Sequence, residues 1–328
     1  MIENIKIQNF RCFSELEIKD LKRFNIIVGE NASGKSAFLE SLYLQNVKKS
    51  ADLLQIREWR QRGYLDKASR ESPSAWEDLF HNFNSGSPIY IGIGHFPELR
   101  IEYKDTGKIS LAWREAEPQR TPPSASADAE STRWSFTAPR LLHPCEFIGA
   151  SSAFQYRNRL AEKLSELSKE GETTPIVDAL RSEFPFLRDL SLELDGWSTS
   201  VFASIEGSKR KFPAALVSDG FNKLLNILLS IASVPKGTLL VDQIEDGFYY
   251  KKLASIWRVI CRFAVEKDVQ IFATTHSREC LEALQPVIEN NENDFALLRA
   301  SKMNGASKIT VSDGRRFSSA LSQEFEVR

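Results

Sequence analysis

The chain has 328 residues, 42% of them hydrophobic and 27% charged, with a formal net charge of −1 at pH 7. That is the composition of a globular protein with room for one large domain or two modest ones, and it gives no overall pull toward nucleic acid or an acidic membrane. Four dispersed cysteines, Cys12, Cys145, Cys261 and Cys280, form no CxxC pair, which argues against a disulfide framework or a zinc site and fits a reducing cytosol.

The N-terminal "MIENIKIQNF" lacks a basic segment followed by an apolar run, and no apolar stretch approaches the roughly 20 residues of a membrane span. The expected location is therefore the cytoplasm, with no membrane partner. "IKIQNF" and "ELEIKDL" alternate as half-buried strands, and "FNIIV" (24–28) is the continuous apolar run of a strand covered on both faces. A glycine-containing loop then leads into helical spacing over 35–47. Residues 51–80 read as largely helical, broken near "ESPS" (71–74). Alternating runs at 88–96, 99–104 and 108–115 predict an antiparallel meander. The Pro-, Ser- and Ala-rich stretch that follows predicts a mobile loop near 117–138. Helices are expected at 152–169 and 175–184.

From residue 216 helices and apolar strands alternate: helix 219–232, strand 238–242, helix 249–265, strand 269–275, and a helix starting near Ser277. That pattern implies a parallel sheet covered on both faces. The fold class is α/β, a nucleotide-binding core split between 1–48 and 214–328, around an insertion at 49–213 that holds antiparallel strands and helices.

"GENASGKS" (29–36) has the G-x-x-x-x-G-K-[ST] spacing of a phosphate-binding loop, between a strand and a helix where that loop belongs. Gly29, Glu30, Asn31, Ala32, Ser33, Gly34, Lys35, Ser36 and Ala37 are the candidate nucleotide-binding residues. Backbone N–H groups and the helix N-terminus favour phosphate there, with Lys35 reaching the outer phosphates and the Ser36 hydroxyl ligating magnesium. "TLLVDQ" ends a strand at Asp242, which puts a carboxylate at the carboxyl edge of the sheet, acting on magnesium through Ser36. "FATTHS" puts His276 one strand further on, as a contact to the terminal phosphate or to water. Ser218, Asp219 and Gly220 open a helix, either as ordinary caps or as an anion site that meets a second subunit's nucleotide.

Together these motifs resemble the ABC-type P-loop ATPases of the SMC/RecF/OLD group, often catalogued as AAA-type ATPases with an ABC-like head. "IQNFRCF" is similar to the group's N-terminal strand, "GENASGKS" to its Walker A, "VSDGFNKLL" to a degenerate signature, "LLVDQIEDG" to its Walker B and "TTHS" to its switch histidine. The resemblance implies the mixed sheet and antiparallel β-subdomain of an ABC head. It also implies ATP and Mg2+ as ligands and a homodimer, or a higher multiple, joined head to tail. Lys35, Ser36, Asp242, Gln243 and His276 would then act from one subunit, and Ser218, Asp219 and Gly220 from the other. By the same analogy Arg11 contacts nucleotide. A Q-loop cannot be placed beyond a guess near His81.

The insertion lacks long heptads, and too few residues follow His276 for a Toprim nuclease domain. Relatives without that domain resemble bacterial phage-defence ATPases, so the expected partner is a separate effector, a nuclease or a toxin. DNA is a partner that the charge does not indicate. A RecF-like role on DNA and a non-hydrolysing scaffold remain the alternatives. The group has glutamate where this chain has Gln243, through natural divergence or, as we favour, an engineered change. Glutamine can orient water but cannot take its proton, so hydrolysis is expected to be slow, with Glu245 a substitute base of unknown direction.

Overall fold

The computed structural model describes residues 1–47, 53, 56, 76–104, 108–114, 124–127, 135–136, 143–150, 157–196, 198–303 and 306–322. The first elements follow from alternation. In β1 (Ile5–Phe10) and β2 (Phe13–Ile18) the buried side chains alternate at Ile5 and Ile7 and at Leu16 and Ile18, with Phe10 and Phe13 buried beside the turn, and the two strands pair antiparallel with Ile7 opposite Leu16. β3 (Phe24–Gly29) is buried throughout and runs into α1 (Lys35–Leu44). Next come β4 (Ile89–Ile93), β5 (Glu98–Lys104), β6 (Lys108–Arg114), β7 (Ser124–Ala127), β8 (Ser135–Phe136) and β9 (Cys145–Ile148). α2 (Arg157–Lys169), α3 (Thr173–Glu183), β10 (Leu187–Asp195), β11 (Ser198–Ile205) and β12 (Phe212–Pro213) complete the middle of the chain. The last part holds α4 (Asp219–Ser233), β13 (Thr238–Val241), α5 (Leu253–Glu266), β14 (Gln270–Thr274), α6 (Arg278–Ile288), β15 (Phe295–Met303), β16 (Ala306–Asp313) and α7 (Gly314–Ser322).

Among the described residues the strands form three sheets. The central one has the order β16-β15-β3-β14-β13-β9, parallel except for β16 at its edge. An outer antiparallel sheet has the order β2-β1-β4-β5-β6-β7-β8, and a small third sheet has β10-β11-β12. The two-residue period of a strand divides the central sheet between two cores. Ile26, Val28, Leu239, Val241, Ile271 and Ala273 face α4, α5 and α6, against Leu224, Leu228, Ile256, Ile260 and Leu284. Their neighbours Ile27, Leu240, Phe272 and Leu298 face the other way, into a core with Phe38, Leu39 and Leu42 of α1 and with Ile7, Ile91, Leu111 and Trp113 of the outer sheet. Phe38 meets Phe272 edge-on, ring centroids 6.2 Å apart, which seats the phosphate-loop helix on the sheet. Fully burying one such ring contributes about 1.5–3 kcal/mol.

The expected strands and helices after residue 216 form within a few residues of their expected limits. Within 117–138, expected to be a loop, Ser124–Ala127 pairs with β6 and Ser135–Phe136 pairs with β7, so part of that stretch extends the outer sheet. Its Ser and Ala side chains carry no apolar alternation, while the pairing uses only the backbone. Residues 51–80 lie mostly outside the described residues. The described part ends in a short 3-10 turn, Glu77–Leu79. The limits 48 and 214 do not coincide with the sheets. β9 lies between them yet completes the central sheet beside β13, and β4 joins the outer sheet to β1. Short strands bounded by polar loops hide such pairing from the sequence. No helix among the described residues is long and apolar enough to cross a membrane.

His143 sits just before β9 at the amino end of the sheet, 6% exposed, with Nε2 2.6 Å from Thr238 Oγ1 and its ring 4.8 Å from that of Phe96. Burial lowers its pKa to about 4, helped by the N-terminal ammonium and His95. The folded pKa is below the unfolded one, so the unfolded state binds more protons between them, and stability is lost as pH falls from about 6.5 toward 4. Urea denaturation should show a loss of roughly 2–3 kcal/mol over that window. His143→Gln should flatten the dependence, and an unchanged slope in the variant would exclude His143 as the source.

Candidate nucleotide site

The phosphate loop leaves β3, strapped between β14 and β15, and enters α1. Gly34 precedes the helix with φ 108°, a left-handed conformation that glycine adopts without strain. A Cβ there would meet Cys12 Sγ at 2.8 Å and the Phe13 ring at 3.0 Å. Glu30, Asn31 and Ala32 are exposed at the tip, while Ser33 is buried and its hydroxyl has no hydrogen-bond partner among the described residues. Ala37 is buried in the first turn of α1.

Lys35 is 5% exposed and donates from Nζ to the carbonyls of Gly29 and Glu30, 2.7 Å each. Burial pushes its pKa down, against the pull of Asp242 and Glu245. An ammonium so placed gains from an anion in the loop. Asp242 is gripped at both oxygens. The Ser36 hydroxyl donates to Oδ2 at 2.9 Å, and the Thr274 hydroxyl donates to Oδ1 at 2.5 Å. Thr274 Oγ1 in turn accepts from the Gln243 N–H at 2.8 Å. The structure thus joins Lys35, Ser36, Asp242 and Gln243 through α1, β13 and β14.

Glu245, whose direction the sequence leaves open, turns toward the end of β14. Its Oε1 accepts from the backbone N–H of His276 at 2.8 Å, and its Oε2 is buried without a hydrogen-bond partner among the described residues. The His276 side chain is exposed at the same edge. Ser218 caps α4, its Oγ accepting from Phe221 N–H at 3.2 Å, and Ser218 and Asp219 are exposed. No hydrogen bond among the described residues joins these two or Gly220 to the phosphate loop of the same chain.

Arg11 is committed elsewhere. Its Nε lies 3.2 Å from Glu40 of α1, and Nη1 donates to Asp78 Oδ2 at 2.6 Å, so a nucleotide would compete with two carboxylates. His81 contacts the Arg11 carbonyl through Nδ1, at 2.9 Å. The strand that reaches the phosphate edge from the middle of the chain is instead β9, whose Ile148 carbonyl accepts from Asp242 N–H at 2.8 Å. Gly149, rather than the residues around His81, follows that strand beside Asp242. Sequence reasoning also missed Thr274, two residues before His276, and Lys223. Lys223 lies five residues beyond Ser218 and donates from Nζ to the Gln243 carbonyl at 3.3 Å. Burial lowers the Lys223 pKa and raises that of Asp246 beside it.

Among the described residues there is no cluster of three or more His, Cys, Asp or Glu side chains that could cage a metal. A hydroxyl and a carboxylate side by side, next to an anion-binding loop, suit magnesium, which is held by one or two protein oxygens plus substrate phosphate and water. The residues present fit the ion.

The family described as "AAA domain, putative AbiEii toxin, Type IV TA system" matches residues 24–282, from β3 into α6. The chain belongs to this family. An ATP/GTP phosphatase of Helicobacter pylori is similar at 22% identity over 344 aligned residues, 90% of each chain. The DNA replication and repair protein RecF of Clostridium kluyveri is 47% identical over 49 residues, only 15% of this chain and 14% of that one. Among solved structures the SmcHead bound to the C-winged helix domain of ScpA is similar with TM-score 0.55 and 13% identity, covering 95% of this chain and 97% of that one. An Smc head with an extended coiled coil, bound to the C-terminal domain of ScpA derived from Pyrococcus furiosus, gives TM-score 0.54 at 13% identity, covering 98% and 99%. At that identity the two heads share the fold. The AAA-family chain is thus a P-loop ATPase of the ABC/SMC/RecF-like type, with the mixed sheet and antiparallel sheet of that fold.

Thr274 holds both the Asp242 carboxylate and the Gln243 amide, so Thr274→Val leaves two polar groups unpaired, at about 1–3 kcal/mol. Titration calorimetry with ATP and Mg2+ should show about tenfold weaker binding by the variant. Affinity equal to that of the parent would mean that Ser36 alone positions Asp242.

Proposed function

We propose that this AAA-family chain binds ATP with magnesium at residues 29–37 and pairs head to tail with a second copy. It then works as a slow ATPase that regulates a separate effector in bacterial anti-phage defence. The observation that carries the reading is the joined triad Ser36, Asp242 and Thr274 beside the buried ammonium of Lys35. Magnesium held by Ser36, and through it by Asp242, would neutralise phosphate charge. Lys35 neutralises the outer phosphates, and loop N–H groups orient them. Residue 243 follows Asp242 directly and orients water. As glutamine it cannot accept the proton, and Glu245 is held by the His276 amide.

Head-to-tail pairing is supported by the exposed N-terminus of α4, where Ser218 and Asp219 face outward without engaging their own phosphate loop. The family description names a Type IV TA system, which supports work beside a second component. Both similar Smc heads were solved bound to part of ScpA, which supports docking of another polypeptide on a head of this shape. A RecF-like role on DNA is favoured only by short matches such as the 49-residue one.

A general base contributes on the order of 10²–10⁴ in rate, so Gln243→Glu should raise steady-state ATP turnover at least about tenfold. Lys35→Ala should abolish both turnover and ATP-dependent pairing measured by light scattering. Robust turnover of the parent chain, equal to that of Gln243→Glu, would refute the slow-ATPase reading.

A further inference from the structure

α4 and the 243–247 segment lie in close contact. The first turn of α4 packs on this segment by backbone. A Cβ built on Gly220 would meet the Gly247 carbonyl at 2.9 Å, and one built on Gly247 would meet Asp219 at 3.4 Å. One turn further along the same helix, Lys223 is partly buried and donates from Nζ to the Gln243 carbonyl at 3.3 Å. Gln243 has φ 51°, a left-handed conformation rare for a residue with a side chain, so its backbone needs holding from outside. Thr274 Oγ1 accepts from the amide of Gln243, and its carbonyl accepts both from the Asp246 N–H of the same turn, at 3.2 Å, and from Lys223 Nζ, which reaches it from outside the turn. The carboxylates of Asp242, Glu245 and Asp246 all attract the Lys223 ammonium, and it is the basic side chain that α4 brings to them.

We infer that Lys223 is a positioning residue, fixing the backbone at position 243 and tying it to the first turn of α4. An anion or a subunit engaging the N-terminus of α4 therefore acts on the same rigid unit that aims the water-orienting side chain. Lys223 works through the carbonyl of residue 243, so the identity of the side chain at 243 is immaterial to the contact. The inference rests on the proposed nucleotide site for its catalytic consequence, but not for the backbone contact itself.

The test uses the full chain carrying Gln243→Glu, which has turnover to lose, with Lys223→Met alone and combined with Asp246→Asn. Amide hydrogen exchange is followed without nucleotide in peptides covering 243–247 and, as a reference, 271–274. Lys223→Met should speed exchange in 243–247 about tenfold while leaving 271–274 unchanged, and should lower kcat about tenfold with KM within twofold. Adding Asp246→Asn removes the uncompensated carboxylate and should restore Tm, but neither kcat nor the exchange rate. Recovery of all three in the double variant would reduce Lys223 to charge balance and overturn the inference, as would unchanged exchange in the single variant. If no chain turns over ATP, the hydrolytic reading falls, and the exchange data alone decide the role of Lys223.

Discussion

The Asp242 carboxylate is the joint on which this molecule depends. A single charged group at the end of a buried strand is held by hydroxyls from the phosphate-loop helix and from the neighbouring strand. Remove any one of the three parts and a polar group is left unpaired at the edge of an apolar sheet, at about 1–3 kcal/mol. The arrangement also explains why the loop and the Asp242 strand, separated by two hundred residues of sequence, keep their register. Charge and hydrogen-bond geometry fix what apolar packing alone would leave free to slide.

That joint stands on a sheet whose residues serve two cores at once. Odd and even positions along β3, β13 and β14 go to opposite faces, so neither the helical layer nor the outer sheet can shift without disturbing the same strands. Protein interiors are packed too densely to absorb such shifts gradually. The edge that carries the phosphate loop therefore inherits its rigidity from both sides of the molecule.

Much of this was legible in residues that obey local rules. Continuous apolar runs marked β3, β13 and β14, and the glycine spacing with Lys35 and Ser36 marked the loop, because each depends on neighbours in sequence. Thr274, Lys223 and β9 were not legible, because their meaning comes from partners far along the chain. Thr274 looks like any strand threonine until Asp242 stands opposite it. Lys223 looks like a solvated helix lysine until the Gln243 carbonyl lies over it. Arg11 carries more than its motif suggested: beside any ligand role, its guanidinium pairs with Glu40 and Asp78, partners that the motif does not announce. The strands at 124–127 and 135–136 were hidden because backbone pairing on an outer sheet leaves little trace in side-chain pattern.

The thiol that lies where Gly34 has no side chain gives the phosphate loop a wall built by a different sheet. Glycine at that position is usually explained by the curl of its backbone and the approach of phosphate. Here a third reason applies, since the β1–β2 turn fills the volume that a methyl group would need. The restriction is mutual: the residue at position 12 must be small enough to spare the loop and large enough to support it. A side chain added at Gly34 would therefore have to displace a turn that belongs to another sheet.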